Sequence, residues 1–237
     1  MNTKTISGLV LALAAVSLAQ EAAPSKTFGG SGGIAVGIRQ MELGKIRSAL
    51  EDKGFTEPSQ TFLSIGGGGQ FQRGMWLIGG EGGAWIPAFG SAKRGSDEVQ
   101  LAGGWGMARA GMDHALMGNL HLIPSLGVGG GGLQMKVSQP SADRFDDLLD
   151  GPGEVSTFDK AGLLVEPAIT VEWRTFVSGG KENGAFFTVG LRAGYAWNPW
   201  SGSWSNAGGE VQGAPDVDLG GPSVRLVVGM GGCSARK

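Results

Sequence analysis

Residues 186–197 read Phe-Phe-Thr-Val-Gly-Leu-Arg-Ala-Gly-Tyr-Ala-Trp. Phe187, Val189, Leu191, Ala193, Tyr195 and Trp197 share one face of an extended chain, and Thr188, Gly190, Arg192, Gly194 and Ala196 share the other. Period-2 alternation is the signature of a strand between two different environments. One face is rich and apolar. The other is small, largely glycine, and holds a single arginine, which is an unusual composition for a surface meeting open water.

The same pattern recurs along the chain. Eight strands are expected, at 33–41, 61–72, 75–86, 98–109, 121–137, 162–175, 185–197 and 223–231. Their connections alternate in length. Only Arg73-Gly74 joins the second strand to the third, and 176–184 is short, whereas 42–60, 138–161 and 198–222 are long. The connections 87–97 and 110–120 are of similar length and leave that pair undecided. Up-and-down strands place alternate connections at opposite ends. Long loops at one end and tight turns at the other are the habit of barrels that cross the bacterial outer membrane. Short helices are expected in two long loops. Ile46, Ala49 and Leu50 share a face over 45–53 with Gly54 as the stop, and Ser141 caps a turn through Leu149.

Composition narrows the class. Of 237 residues, 46 are glycine, against a usual share of about 7%. No G-X-Y period is present, and the glycines sit inside apolar strand patterns, so they ask for a geometric cause. Net charge is −2 with 17% charged residues, and no basic patch of the kind nucleic acid requires is visible. Lys4 precedes an apolar run from Ile6 to Ala19, and Ser17-Leu18-Ala19 supplies the small residues of a signal-peptidase site. The expected organisation is a signal peptide at 1–19, a lead segment at 20–32, a barrel at 33–232 and a tail at 233–237.

Alternation alone does not say which face points inward, since a soluble lipocalin-like barrel fills its inside with the apolar face. The composition of the poorer face favours the opposite arrangement. Ser64, Gly66, Gly68 and Gln70 oppose Leu63, Ile65 and Phe71 in the second strand. Glu166, Thr170, Glu172 and Arg174 oppose Val165, Ile169, Val171 and Trp173 in the sixth. The bore of an eight-stranded barrel is barely wide enough for side chains to fill, which favours small residues and paired charges. The charges on this face are Arg39, Glu81, Glu166, Glu172, Arg174, Arg192 and Arg225, nearly balanced. Aromatics fall at strand ends on the rich face. Phe71, Trp76, Trp173 and Phe187 lie toward the short turns, and Tyr195 and Trp197 toward the long loops, as two interfacial girdles require.

In this pattern, rather than in any motif, the chain resembles the small eight-stranded outer-membrane proteins, the OmpA-type transmembrane domain and its OmpX-like relatives. The resemblance spans Ile34 to Gly232. It implies an all-β, eight-stranded antiparallel up-and-down transmembrane β-barrel with short helices in the long loops, inserted in outer-membrane lipid as a monomer. The final strand departs from the pattern, ending Met230-Gly231-Gly232 where such proteins commonly end on an aromatic residue. Pro124 and Pro167 each remove a ladder hydrogen bond and are expected near strand starts.

Sites of chemistry are sparse. Gly127 to Gly132 formally matches GxGxxG, but strand-like residues follow where a nucleotide-binding helix would open. His114 and His121 flank the fourth connection, on the expected periplasmic side, and read as surface histidines. Asp143, Asp146, Asp147 and Asp150 are an acidic cluster without Ca²⁺-loop spacing, read as a solvated helix face. Cys233 has no partner for an internal disulfide. No catalytic residue, metal or cofactor is expected. The leading expectation is a non-enzymatic barrel with a filled lumen whose long loops offer a surface to an extracellular partner. A narrow small-solute channel and a soluble secreted barrel holding an apolar ligand remain open.

Overall fold

The computed structural model describes residues 27–139, 154–178 and 183–235. Eight long strands carry the fold: β1 (Thr27–Gln40), β2 (Thr61–Arg73), β3 (Trp76–Pro87), β4 (Asp97–Met112), β5 (Leu120–Gln139), β6 (Glu154–Phe176), β7 (Asn183–Ser201) and β8 (Gly221–Ala235). Each pairs antiparallel with its sequence neighbour. β1 also pairs with β8, from Thr27 opposite Ala235 to Arg39 opposite Ser223. That last ladder closes the sheet into a barrel and leaves it no edge around its circumference.

All eight expected strands are present, and most are longer than the alternation indicated. Thr27–Gly32 lie in β1, with Phe28–Gly32 paired on both sides, although their Gly and Ser residues carry no apolar rhythm. β6 begins at Glu154, eight residues before its apolar alternation. Residues 88–96 lie at the long-loop end, where Ala92–Arg94 folds back on the start of β4. Residues 113–119 form the short turn opposite, with His114–Met117 folded on β5. The undecided pair of connections is thereby resolved. Pro167 corrects one expectation: it lies in the middle of β6, not near its start. There the pairing with β7 is interrupted between Val165–Trp197 and Ala168–Gly194, because proline has no N–H to give the ladder.

Among the described residues one helix, α1 (Gly44–Glu51), follows β1 and buries Ile46 at the long-loop mouth. It stops where Gly54 adopts φ +80° and donates its N–H to the Glu51 carbonyl at 2.8 Å, a conformation costly for other residues. The second expected helix, at 141–149, lies outside the described residues, as do the expected signal peptide and most of the acidic connection.

Glycine has two separate placements. Inward-facing Gly129 lies so close to β4 that an added Cβ would overlap the Gly106 carbonyl and the Met107 backbone. Strong coiling in a narrow barrel brings neighbouring backbones together on the inner side, and glycine answers that crowding. Outward-facing Gly106 has open space where its Cβ would be. Gly129→Ala is therefore expected to destabilise the barrel by about 1–3 kcal/mol through overpacking, while Gly106→Ala leaves stability nearly unchanged. Urea midpoints of the two variants in detergent check the contrast.

Candidate functional site: the charged lumen

Strand alternation delivers charges from six strands into the bore. Glu166 on β6 is fully buried, and three arginines converge on it. Arg225 of β8 donates to its Oε2 at 2.6 Å, and Arg109 of β4 to its Oε1 at 2.8 Å. Arg39 of β1 lies 3.9 Å away. Glu81 on β3 is a second hub. Arg109 donates to it through Nε and Nη2 at 2.9 and 2.6 Å, Arg192 of β7 pairs with it closely, and Arg225 lies at 3.5 Å. Arg109 and Arg225 thus bridge both carboxylates. Buried charges persist only when paired and hydrogen-bonded, and each carboxylate here has several partners.

Aromatic rings and backbone complete the setting. Arg39 stacks 4.6 Å from the Trp85 ring centroid and Arg225 4.7 Å from that of Trp105; guanidiniums over indole faces gain cation–π attraction. Arg39 also donates to the Leu219 carbonyl at 2.5 Å, which ties the network to the loop before β8. Arg192 donates its Nε to Thr170 Oγ1 at 3.0 Å and points into the bore.

A second group lies toward the short turns. Arg174 donates to Glu172 at 2.7 Å and to Asp113 at 2.6 Å. Asp113 also bonds His121 Nδ1 at 2.7 Å and accepts from Gln72 at 2.9 Å. Burial alone would raise the Asp113 carboxyl, but its His121 hydrogen bond and the Arg174 charge outweigh that and hold it below the ordinary value. The histidines are not surface groups, as their turn position suggested. His121 is tucked against Asp113, and His114 Nε2 is buried with no hydrogen-bond partner among the described residues.

The long-loop end is filled differently. Phe62, Trp85, Leu133 and Leu164 point inward there, and Met41, Leu43 and Ile46 close over them. The loop between β7 and β8 adds Trp204, Val217 and Leu219, all buried. Trp204 Nε1 donates to the Pro215 carbonyl at 2.8 Å. Lys160 reaches Asp216 at 2.8 Å, and that hydrogen bond lowers the exposed Asp216 carboxyl. From this stopper to the short turns the bore holds two small cavities, of about 70 and 20 Å³. Both are lined by Gln70, Arg109, Glu172 and Arg192.

Among the residues singled out from sequence, Arg39, Glu81, Glu166, Arg192 and Arg225 meet in the central cluster, and Glu172 and Arg174 form part of the lower one. Arg109, Asp113 and His121 belong with them and were missed. Arg109 stands at the last position of its expected strand, Asp113 lies in the expected connection 110–120, and His121, at the first position of the next strand, reads as a surface histidine. The observed strand runs to Met112, and parity with Met107 would have turned Arg109 inward. Phe71, Trp76, Trp173, Phe187, Tyr195 and Trp197 all face outward and exposed, joined at the long-loop end by Trp200. The GxGxxG stretch is mid-strand in β5, and strand continues from its last glycine to Gln139. Among the described residues no three His, Cys, Asp or Glu side chains converge as a metal site. The arrangement can hold fixed charge and structural water. It offers no activated nucleophile beside the His121–Asp113 pair in the hydrogen bonds described.

No protein-family model matches the chain, and no curated protein does. Among solved structures, Ail, the attachment invasion locus protein of Yersinia pestis, is similar at 11% identity. The match covers 88% of this chain and 99% of Ail with a TM-score of 0.42. Neisserial surface protein A matches at 11% identity over 88% of this chain and 97% of its own, TM-score 0.40. Ail in complex with the heparin analogue sucrose octasulfate matches at 13%, over 87% and 97%, TM-score 0.41. At these levels the barrel rests on its own strand pairing and not on these likenesses.

Removing one hub tests the network. Glu166→Gln removes one of the two carboxylates that Arg109 and Arg225 share and the one paired with Arg39, and the expected loss is about 3–5 kcal/mol. Glu210→Gln, in an exposed loop position, is expected to stay within about 0.5 kcal/mol. Urea unfolding followed by tryptophan fluorescence measures both.

Proposed function

We propose that the chain is a non-enzymatic barrel of the bacterial outer membrane, with a closed lumen and a structural or surface-contact role. The observation that carries this reading is the inversion of the usual protein: charges and small residues fill the inside, and the apolar side chains face out. Ile34 and Ile78 are 62% and 64% exposed, and Leu191 on the far side is 55% exposed. A contiguous apolar surface of this extent marks an apolar partner, and a band encircling closed strands fits lipid. Aromatics flank the band at both ends, supporting an orientation with the short turns and both termini in the periplasm and the long loops outside. The secretory route rests on the leader read at residues 1–19.

A narrow channel is the second reading, favoured by the two cavities that share Gln70, Arg109, Glu172 and Arg192. The apolar stopper of Trp85, Leu133, Leu164 and Trp204 at the long-loop mouth supports the closed barrel over it. A soluble barrel with an apolar ligand is disfavoured because the middle of the bore is occupied by arginine and glutamate. The expected role is envelope integrity or contact with a surface partner through the loops, by a monomer and without cofactor.

The experiment is membrane extraction followed by gel electrophoresis with and without boiling. The protein is expected in the outer-membrane fraction, migrating differently before heating because the closed ladder resists SDS. Recovery in the soluble fraction with no heat shift overturns the reading. Steady single-channel steps in a planar bilayer would replace the closed lumen by the channel.

A further inference from the structure

The charges of the bore do not cancel. From the stopper to the short turns, the described inward charges are five arginines and four carboxylates. Arg39, Arg109, Arg174, Arg192 and Arg225 face Glu81, Asp113, Glu166 and Glu172. One positive charge is left over. His121 does not offset it, since an imidazole is either neutral or cationic. Asp218 lies at the loop mouth, exposed to water. A buried charge without a partner is costly, and lipid around the wall supplies none.

The excess falls on Arg192. Arg109 and Arg225 each reach both hubs, whereas Arg192 reaches Glu81 alone, a carboxylate it shares with both of them. Its Nε donates to Thr170 and its Nη1 to Glu81, and its Nη2 has no partner among the described residues. Arg192 lines the cavity of about 70 Å³, together with Thr188 and Trp105. Thr188 is almost fully buried, and its hydroxyl meets no partner among the described residues. Trp105 is 7% exposed, and its Nε1 is buried without a partner. Three side chains around one space thus hold a donor and lack an acceptor. Glu81 and Glu172 line it too, but arginines engage both oxygens of Glu81, and Glu172 pairs with Arg174.

We infer that this cavity is a binding site for one small monovalent inorganic anion of the halide class, held by Arg192 Nη2 with the Thr188 hydroxyl and the Trp105 N–H beside it. The proposal rests on the closed lumen proposed above. Charge selects the valence: one negative charge balances the bore, and a multivalent anion overshoots it. Size agrees, since the space exceeds the roughly 10–15 Å³ that one water needs and suits a monatomic ion with a few waters. The stopper seals the long-loop mouth, so the ion enters from the short turns. Bound there, it completes the charge balance on which the strand register depends.

The test uses the full chain in detergent, with bromide as the probe. Crystals are soaked in sodium bromide, and anomalous scattering is expected to place one ion within hydrogen-bond distance of Arg192. In solution, sodium bromide replaces sodium gluconate at constant ionic strength, and the urea midpoint is expected to rise as the ion binds the folded state. Arg192→Gln removes the leftover charge, and both the ion and the midpoint shift are expected to vanish. Thr188→Val keeps charge and shape but removes one donor. The bromide concentration giving half the shift is then expected to rise roughly tenfold, the scale of a hydrogen bond to a charged group. Thr188→Val carries the test alone if Arg192→Gln loses the heat-dependent gel shift. Water alone in the cavity, a midpoint indifferent to bromide, or equal binding by the folded variants overturns the proposal; an ion that persists in Arg192→Gln is adventitious only. The gel shift reports separately on the barrel, and single-channel recording on the closed lumen.

Discussion

Glu166 has no exposed surface, and Arg39, Arg109 and Arg225 all reach toward it from other strands. An uncompensated charge in that position costs more than a small barrel can spare, so the strands that supply the arginines must hold their register. A one-residue slip in β8 would turn Arg225 to the outside and Val224 to the inside. The cluster thereby fixes β1, β4, β6 and β8 against one another, and Glu81 draws in β3 and β7. Ladder hydrogen bonds do not discriminate register in this way, because every backbone group is alike.

The narrow bore sets the other requirements. With two carboxylates and four guanidiniums at its middle, and Trp105 and Met107 packed against the arginines, many other inward positions are glycine, serine or threonine. The close approach of neighbouring backbones on the inner side adds to this demand for glycine, as at Gly129. Closing the sheet also sends the apolar side chains outward, and they have no protein to cover them. The apolar core that does exist is displaced to the long-loop mouth, where α1 and the loop carrying Trp204 are folded over Trp85 and Phe62. The molecule is therefore polar at its centre, apolar on its flank and plugged at one end.

Much of this was legible in the chain because period-2 alternation survives in every strand. The eight strands and their up-and-down order follow from it. What alternation does not mark was not legible. Thr27–Gly32 and Glu154–Ala161 extend their strands without an apolar rhythm, since they lie at or beyond the ends of the outward apolar band. Asp113 lies beyond the end of its expected strand, and a residue whose parity is unassigned has no face. Trp204, Val217 and Leu219 form the stopper from a loop with no period at all. Pro167 shows a rule yielding to context: a proline in mid-strand is accepted where the ladder with β7 is locally broken.

The central claim is that Val189, Leu191 and Ala193 face lipid while Gly190, Arg192 and Gly194 face the bore. Single cysteines placed along 187–197 of β7, in a Cys233→Ser background, can carry spin labels in lipid vesicles. Collision with oxygen, which concentrates in the membrane, is then compared with collision with a water-soluble nickel complex. The account predicts a two-residue oscillation, with oxygen contact highest at 189, 191 and 193 and both reagents excluded at 190, 192 and 194. High nickel contact at 189, 191 and 193 would contradict it, since the apolar face would then be meeting water.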